Sequence, residues 1–287
     1  MLSSLASVVF DGFAYGMLLF LLSVGLSVTL GMMNFVNLAH CSFAMVGGYA
    51  SVQLAGKLGW PFLATLPVAF IAAAIVSIVL ERILYRRLYR ASDLDQCLLT
   101  IGIVFISIAA FAWFYTTEQQ SVQVPEWLKG AQHVGGMTFA NYRMFLIVVG
   151  LAVTGLLVFF LERTRFGAKV RAAVDNQRMA RGLGIDVDRA FMFTFALGGG
   201  LAGLGGALSI QIVGLDPTFA LGYLVYVLIV VAVGGLGSIG GSFAAAIVLG
   251  ISDMAGKYYF PWLGAFVIYL VMVALLMWRP AGLFGKR

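Results

Sequence analysis

The chain has 287 residues, of which 62% are hydrophobic and 10% charged, with a formal net charge of +6 and a mean hydropathy of +1.00. An ordinary soluble domain carries about a quarter charged residues, and this composition excludes one. The basic residues lie in loops between apolar segments, a distribution that orients a membrane protein and does not point to nucleic acid.

Apolar runs of roughly membrane-spanning length fall near 8–31, 38–56, 62–80, 97–116, 141–161, 190–212, 221–235, 241–256 and 262–279. The expected fold is all-α: a polytopic helical membrane protein with about 8–9 transmembrane segments, some broken or re-entrant, in one domain over 1–287. Alternating barrel-type strands are absent. The span count is open at 31–37 and 234–242, where the connection is short and almost uncharged. The first run has no basic n-region, the first Lys or Arg being Lys57, and no A-x-A site follows it. It is expected to be an uncleaved span.

The stretch "MNFVNLAHCSFAMVGGYAS" places Asn34, Asn37 and His40 three residues apart, followed by Gly47 and Gly48. On a helix the three polar side chains would share a face, and in a membrane that face turns to the bundle interior. A hydrogen bond between helices explains them about as well as contact with a transported solute. Cys41 and Cys97 show no paired spacing and read as small buried hydrophobes, not as a disulfide or metal site.

Next come "ERILYRRLYRASD", with Arg82, Arg86, Arg87 and Arg90, and the loop 117–140. In that loop "VPEWLKGAQHVGG" suits a short interfacial element, with His133 solvated. The segment "RTRFGAKVRAAVDNQRMARGLGIDVDR" (163–189) holds seven of the eighteen Lys and Arg residues. Its residues 167–183 favour helix, about 25 Å long if continuous. Arg171, Asp175 and Arg178 would then lie on one side, with no continuous apolar stripe opposite. That suits docking into a groove of another protein better than lying in the membrane surface.

Beyond it, "ALGGGLAGLGGALS" (196–209) reads as close helix packing through small residues. "VAVGGLGSIGGSFAAAIVLG" carries Gly234, Gly235, Gly237, Gly240 and Gly241. Glycine-broken segments at membrane depth survive only when buried in protein or lining a wet cavity, and interrupted segments in both halves of a chain point to a translocation site. Arg279, Lys286 and Arg287 end the chain. The basic loops and the C-terminus are expected in the cytoplasm, and nine alternating spans would place the N-terminus outside.

Asp11, Glu81, Glu162 and Asp253 lie near span ends, and the span middles hold essentially no carboxylate. Proton-coupled pumps use such groups as relays, so energy is expected from elsewhere. No Walker loop, HExxH, GxSxG or His/Asp pairing is present; the chain is not expected to be an enzyme or to hold a metal.

"GLSVTLGMMNFVNLAHCSFAMVGGYAS", "GAKVRAAVDNQRMARGLGIDVDRAFMFTFALGGGLAGLGGAL", "VVAVGGLGSIGGSFAAAIVLG" and "WRPAGLFG" together resemble, in order, the permease subunits of branched-chain amino acid ATP-binding-cassette importers. The resemblance covers nearly the whole chain and implies a subunit of a bacterial inner-membrane importer. Its partners would be a second, similar permease, two ATP-binding-cassette ATPases and a periplasmic substrate-binding protein. No cofactor would be bound by this chain, ATP and Mg being used by the ATPases. A cytoplasmic coupling element would run from Gly167 to Gly184, including Arg171, Asp175, Asn176, Arg178 and Ala180. The pathway candidates are Asn34, Asn37, His40, Gly47, Gly48 and the segment Gly234–Gly241. Cys41 stands where such permeases often have a smaller residue. The same architecture serves urea, amides and aromatic acids, and a stand-alone channel remains the alternative if the loop 167–184 proves dispensable.

Overall fold

In a computed structural model, which describes residues 2–33, 35–89, 91–134 and 137–285, each of the nine apolar runs folds as a helix. Asn34, Arg90, Lys286 and Arg287 lie outside the described residues. The helices are α1 (Leu2–Met33), α2 (His40–Val52, extended by a π turn, Gln53–Lys57) and α3 (Phe62–Leu80). A π turn (Glu81–Tyr85) carries α3 into the short α4 (Arg86–Leu88). Then come α5 (Asp93–Tyr115), α6 (Asn141–Arg163), α7 (Arg165–Asp175), α8 (Gln177–Gly182), α9 (Val187–Val213), α10 (Phe219–Gly234), α11 (Ile239–Tyr259) and α12 (Gly264–Trp278).

Local chemistry sets several helix starts. Ser92 and Asp95 close a capping box on α5, Asp186 caps α9, and Ser238 caps α11. Each satisfies backbone N–H groups that a first helical turn leaves unpaired. Among the described residues, six helices are long and apolar enough to cross a membrane. Among the rest, α10 with 16 residues and α12 with 15 reach only about 24 Å and 22 Å, less than the hydrocarbon core of about 30 Å.

The core is built on α1 and α9, whose apolar windows are 89% and 78% buried, against 11% for α5. Apolar side chains gain little from leaving lipid, so close packing of small residues holds such helices together. A Cβ on Gly25 of α1 would sit 2.8 Å from Gly198 Cα of α9, and one on Gly206 of α9 would sit 2.9 Å from Ala44 Cα of α2. The glycines of 196–209 are therefore packing residues, as their even spread along one helix led us to expect.

Contacts sort the chain into two ends. At one, the Phe35 ring lies 5.1 Å from Tyr85, 5.8 Å from Tyr89 and 5.7 Å from Phe195. Arg86 pairs with Asp188 there, and the C-terminal Leu283 N–H donates to Val233 O. At the other, Arg143 pairs with Asp11, Gln120 N–H donates to Leu215 O, and Lys257 lies over the Tyr15 ring. Among the described Lys and Arg residues, only Lys57, Lys129, Arg143 and Lys257 fall outside the segments of the first, basic end.

Two local features depart from the all-α expectation and from its single loop helix. At the far end Ala131–Val134 (β1) pairs antiparallel with Met137–Ala140 (β2), so the interfacial element is a hairpin, with His133 exposed and 3.1 Å from Thr138 Oγ1. At the basic end the helix expected over 167–183 is two helices. Asn176 leaves helical geometry at φ −152°, ψ 96° and caps α8 by accepting from Met179 N, because an Asn side chain competes with the helix for backbone N–H groups.

Candidate translocation and coupling sites

The chain between α1 and α2 is where the sequence placed a polar helical face, and the structure corrects this. Residues 35–37 are non-helical and 38–39 form a turn, with α2 starting at His40. Asn37 and His40 therefore do not share a helix face. His40 Nε2 lies 3.1 Å from Leu22 O, so the Nε2–H tautomer donates to that carbonyl. Leu22 is eleven residues before the end of α1, about 16 Å along the axis. The break thus runs from the basic end, at Phe35, to a depth inside the bundle at His40, where hydrocarbon offers its backbone no partner.

Side chains of α5 supply the partners. Gln96 Oε1 accepts from Val36 N at 2.9 Å, and its Nε2 donates to Leu88 O and Ala91 O. Thr100 Oγ1 accepts from Leu38 N at 3.2 Å, and Ser107 Oγ is 2.8 Å from Ser42 Oγ. Asn37 Oδ1 accepts from Ala39 N, while its buried Nδ2 has no partner among the described residues. The reading of the sequence missed Gln96, Thr100 and Ser107. Their signal was present: polar residues at i, i+4 and i+11, close to one face of an otherwise apolar span.

Gly47 and Gly48 are packing positions. A Cβ at Gly47 would strike Gly203 of α9, and one at Gly48 would come 2.7 Å from Leu215 Cδ2. The second glycine group forms a tight turn at the basic end, with Gly235 at φ 95° and Gly237 at φ 77°, a region that favours glycine. A Cβ on Gly234 would lie 2.6 Å from Ser242 N, and one on Gly235 would lie 2.6 Å from Gly285 N. Gly241 N donates to Ser238 Oγ, and Gly240 faces open space. The terminal "WRPAGLFG" lies on this turn, where Phe284 N donates to Gly234 O.

In the polar loop, α7 does carry an apolar face, turned inward. Val170 and Ala173 are fully buried, and a Cβ on Gly167 would clash with Leu161 of α6. Arg171 turns back to donate to Leu161 O. Because Asn176 resets the register, Arg171 and Asp175 do not continue onto Arg178. The α8 segment buries Ala180 and exposes Met179 (62%) and Leu183 (74%), flanked by Arg178 and Arg181; Gly184 follows at φ 78°. Asp188 joins this loop to α4, accepting from Arg181 Nη2 at 3.1 Å and Arg86 Nη2 at 2.5 Å.

Carboxylates near span ends are not all at the solvent rim. Glu81 is buried, accepts from Tyr89 OH at 2.7 Å and faces Arg82 at 3.7 Å. Asp253 has no exposure; one oxygen pairs with Lys257 at 2.6 Å and the other has no partner among the described residues. Around it stand Tyr15, Tyr223 and Tyr226, with Tyr269 6.3 Å from Tyr226. The four tyrosines were not singled out from the sequence. No group of three or more His, Cys, Asp or Glu that could hold a metal occurs among the described residues.

A polytopic helical bundle whose core contains a polar-lined backbone break has the architecture of a transport permease. Residues 8–276 match the family described as the branched-chain amino acid transport system permease component, and the chain belongs to that family. It is 30% identical to the "Probable branched-chain amino acid transport permease protein LivH" of Methanocaldococcus jannaschii, over 94% of this chain and 90% of that protein. It is 24% identical to the high-affinity branched-chain amino acid transport system permease LivH of Escherichia coli, over 96% and 94%. It is 26% identical to the Escherichia coli permease LivM, over 93% of this chain and 68% of LivM. No solved structure matches it. The protein is a membrane transport permease and not an enzyme.

Proposed function

We propose that this chain is the membrane-spanning subunit of an ATP-binding-cassette importer that moves branched-chain or related hydrophobic amino acids into the cytoplasm. It acts as a single permease domain over 1–287 in a bacterial inner membrane. The basic end faces the cytoplasm by the positive-inside rule. The likeness to both LivH and LivM supports pairing with a second, similar permease. Two ATPases and a periplasmic binding protein complete the assembly, and ATP and Mg belong to the ATPases. The substrate class rests on the names of the relatives.

One observation carries the coupling reading: a chain of contacts runs from the exposed α8 segment to the break. Met179 and Leu183, with Arg178 beside them, form the docking surface for the ATPase, and Arg181 connects through Asp188 to Arg86. The π turn before Arg86 holds Tyr85 against Phe35, the residue that opens the non-helical stretch. Movement of α8 on nucleotide binding thus shifts α4 and the Phe35 ring, and with it the stretch 35–39 next to α5. Asn37 and His40 then line or control the pathway, and the tightly packed Gly234–Gly241 turn holds α10 against α11 beside it.

Leu183→Asp with Arg178→Glu tests this reading in the assembled transporter reconstituted in liposomes. Both side chains are exposed, so insertion and thermal stability stay at wild-type level while ATP-driven uptake falls at least tenfold. Undiminished uptake removes the docking surface from α8.

A further inference from the structure

Away from the polar break, three cavities between α3, α6, α7 and α9 run into one another. The first, about 320 Å³, is lined by Phe70, Leu157, Phe160, Leu197 and Leu204 among others. The second, about 360 Å³, shares Phe70, Phe160 and Leu197 with it and adds Phe166 and Phe193. The third, about 510 Å³, shares Phe166 and Phe193 with the second and opens at Lys169, Asp186 and Arg189. The first two have only apolar linings.

Together they make a groove on the outer side of the bundle that changes character along its length. From Leu204 to Phe193 it follows eleven residues of α9, about 16 Å. That is close to one leaflet of a hydrocarbon core about 30 Å thick. At the basic end, where the headgroup layer begins, the apolar wall gives way to charge. Arg189 is held by Asp186 at 2.9 Å. Lys169 takes part in none of the ion pairs among the described residues, nor do Arg163 and Arg165 at the start of α7. The mouth is therefore net positive, and Lys169, unpaired among the described residues, lines it together with Phe166 and Phe193, which also line the apolar slot.

We propose that this groove is a binding site for an anionic glycerophospholipid of the leaflet at the basic end. One acyl chain lies between α6 and α9 against Phe160, Leu197 and Phe193, and the phosphate meets Lys169. A basic pocket between membrane helices suits such headgroups, and an apolar slot of one leaflet's length suits a lipid tail. The lipid touches α7 through Phe166 and Lys169 and α9 through Phe193, so it braces the polar loop against the bundle.

The test is native mass spectrometry of the full-length chain in mild detergent, titrated with phosphatidylglycerol or phosphatidylcholine of identical acyl chains. Phosphatidylglycerol is retained preferentially, and Lys169→Gln lowers its retention about fivefold and that of phosphatidylcholine, whose phosphate is offset by its own choline, by less, so that the preference is lost. Ala196→Phe, which fills the slot, lowers retention of both. A photoreactive residue in place of Phe193 attaches to the lipid. Equal retention of the two lipids by the wild-type chain overturns the proposal, as does a Lys169→Gln chain that still prefers phosphatidylglycerol. Attachment of the photoreactive residue to a second polypeptide also overturns it, making the groove a protein interface. Gel-filtration elution at the wild-type position shows that each variant is folded.

Discussion

At 35–39 the chain runs without helical geometry from the basic end into the bundle, and its N–H groups are met by Gln96 and Thr100 of α5. At 235–238 it leaves helical geometry at the basic end, and the turn is fixed by left-handed glycines and by the backbone of the C-terminal tail. Both stretches looked alike in sequence, as short, almost uncharged interruptions of apolar runs. The difference between them is who satisfies the backbone. A turn closed by its own backbone has one low-energy arrangement, because any larger residue meets main chain that cannot give way. A break held by side chains of a neighbouring helix can exchange those partners when that helix or the chain beside it moves. The polar contacts to α5 therefore mark a place able to switch, and glycines alone mark a place that is packed.

The largest effect is expected where the packing is rigid. Gly235→Val places a β-branched residue at φ 95° with its Cβ against Gly285. Left-handed strain of about 1–2 kcal/mol and overpacking of about 1–3 kcal/mol add together. Folded protein falls along with transport, measured by thermal unfolding in detergent. A stable Gly235→Val protein that has lost only uptake would move this turn into the switching class and erase the contrast.

Gln96→Leu should be intermediate in stability and severe in function. It strands the Val36 N–H and the Leu88 and Ala91 carbonyls, all part-buried, so each lost partner costs at most the about 1–3 kcal/mol of a buried group. Uptake drops more than the loss of folded protein explains, whereas an isosteric Gln96→Glu that keeps an acceptor for Val36 N–H retains part of it. Wild-type uptake in Gln96→Leu would show that the break needs no partner on α5.

The smallest effect belongs to the ion pairs that link loop and bundle. Asp188 and both its arginines are about half exposed, and such pairs contribute about 0.2–1 kcal/mol. Asp188→Asn leaves stability within that range and, on the proposed coupling route, lowers the ATP-dependence of uptake several-fold. An Asp188→Asn transporter with unaltered coupling would place the transmission elsewhere.

Much of this was legible in the residues. The nine apolar runs mark nine helices because in a membrane each segment must satisfy its own backbone, and the even glycines of 196–209 mark close packing. The arginines of 82–90 and 163–189 mark one end of the bundle. What stayed hidden depended on partners distant in sequence. Periodicity placed Asn37 and His40 on a helix face, because nothing local to them shows that Gln96 and Thr100 wait 60 and 62 residues away to take up the backbone. The Ala- and Arg-rich loop read as one helix because propensity outweighed Asn176, whose capping bond to Met179 ends α7 and starts α8. Asp253 looked like a span-end carboxylate, and only the packing of α11 against α1 buries it. Before the hairpin strands could be seen, the sequence offered a Gly-Gly pair between two strand-like runs, a turn signal overshadowed by the Pro and Trp before it.

The most direct measurement is thiol accessibility at Val36 in the assembled transporter, using Val36→Cys in a Cys41→Ala, Cys97→Ala background. Val36 donates its N–H to Gln96 and follows Phe35, so it reports the break itself. Labelling by a small membrane-impermeant maleimide is predicted to change at least fivefold between nucleotide-free and ATP-trapped states, and to lose that change in Leu183→Asp. Equal labelling in both states would mean that the break is a fixed element of the bundle and that transport proceeds without it.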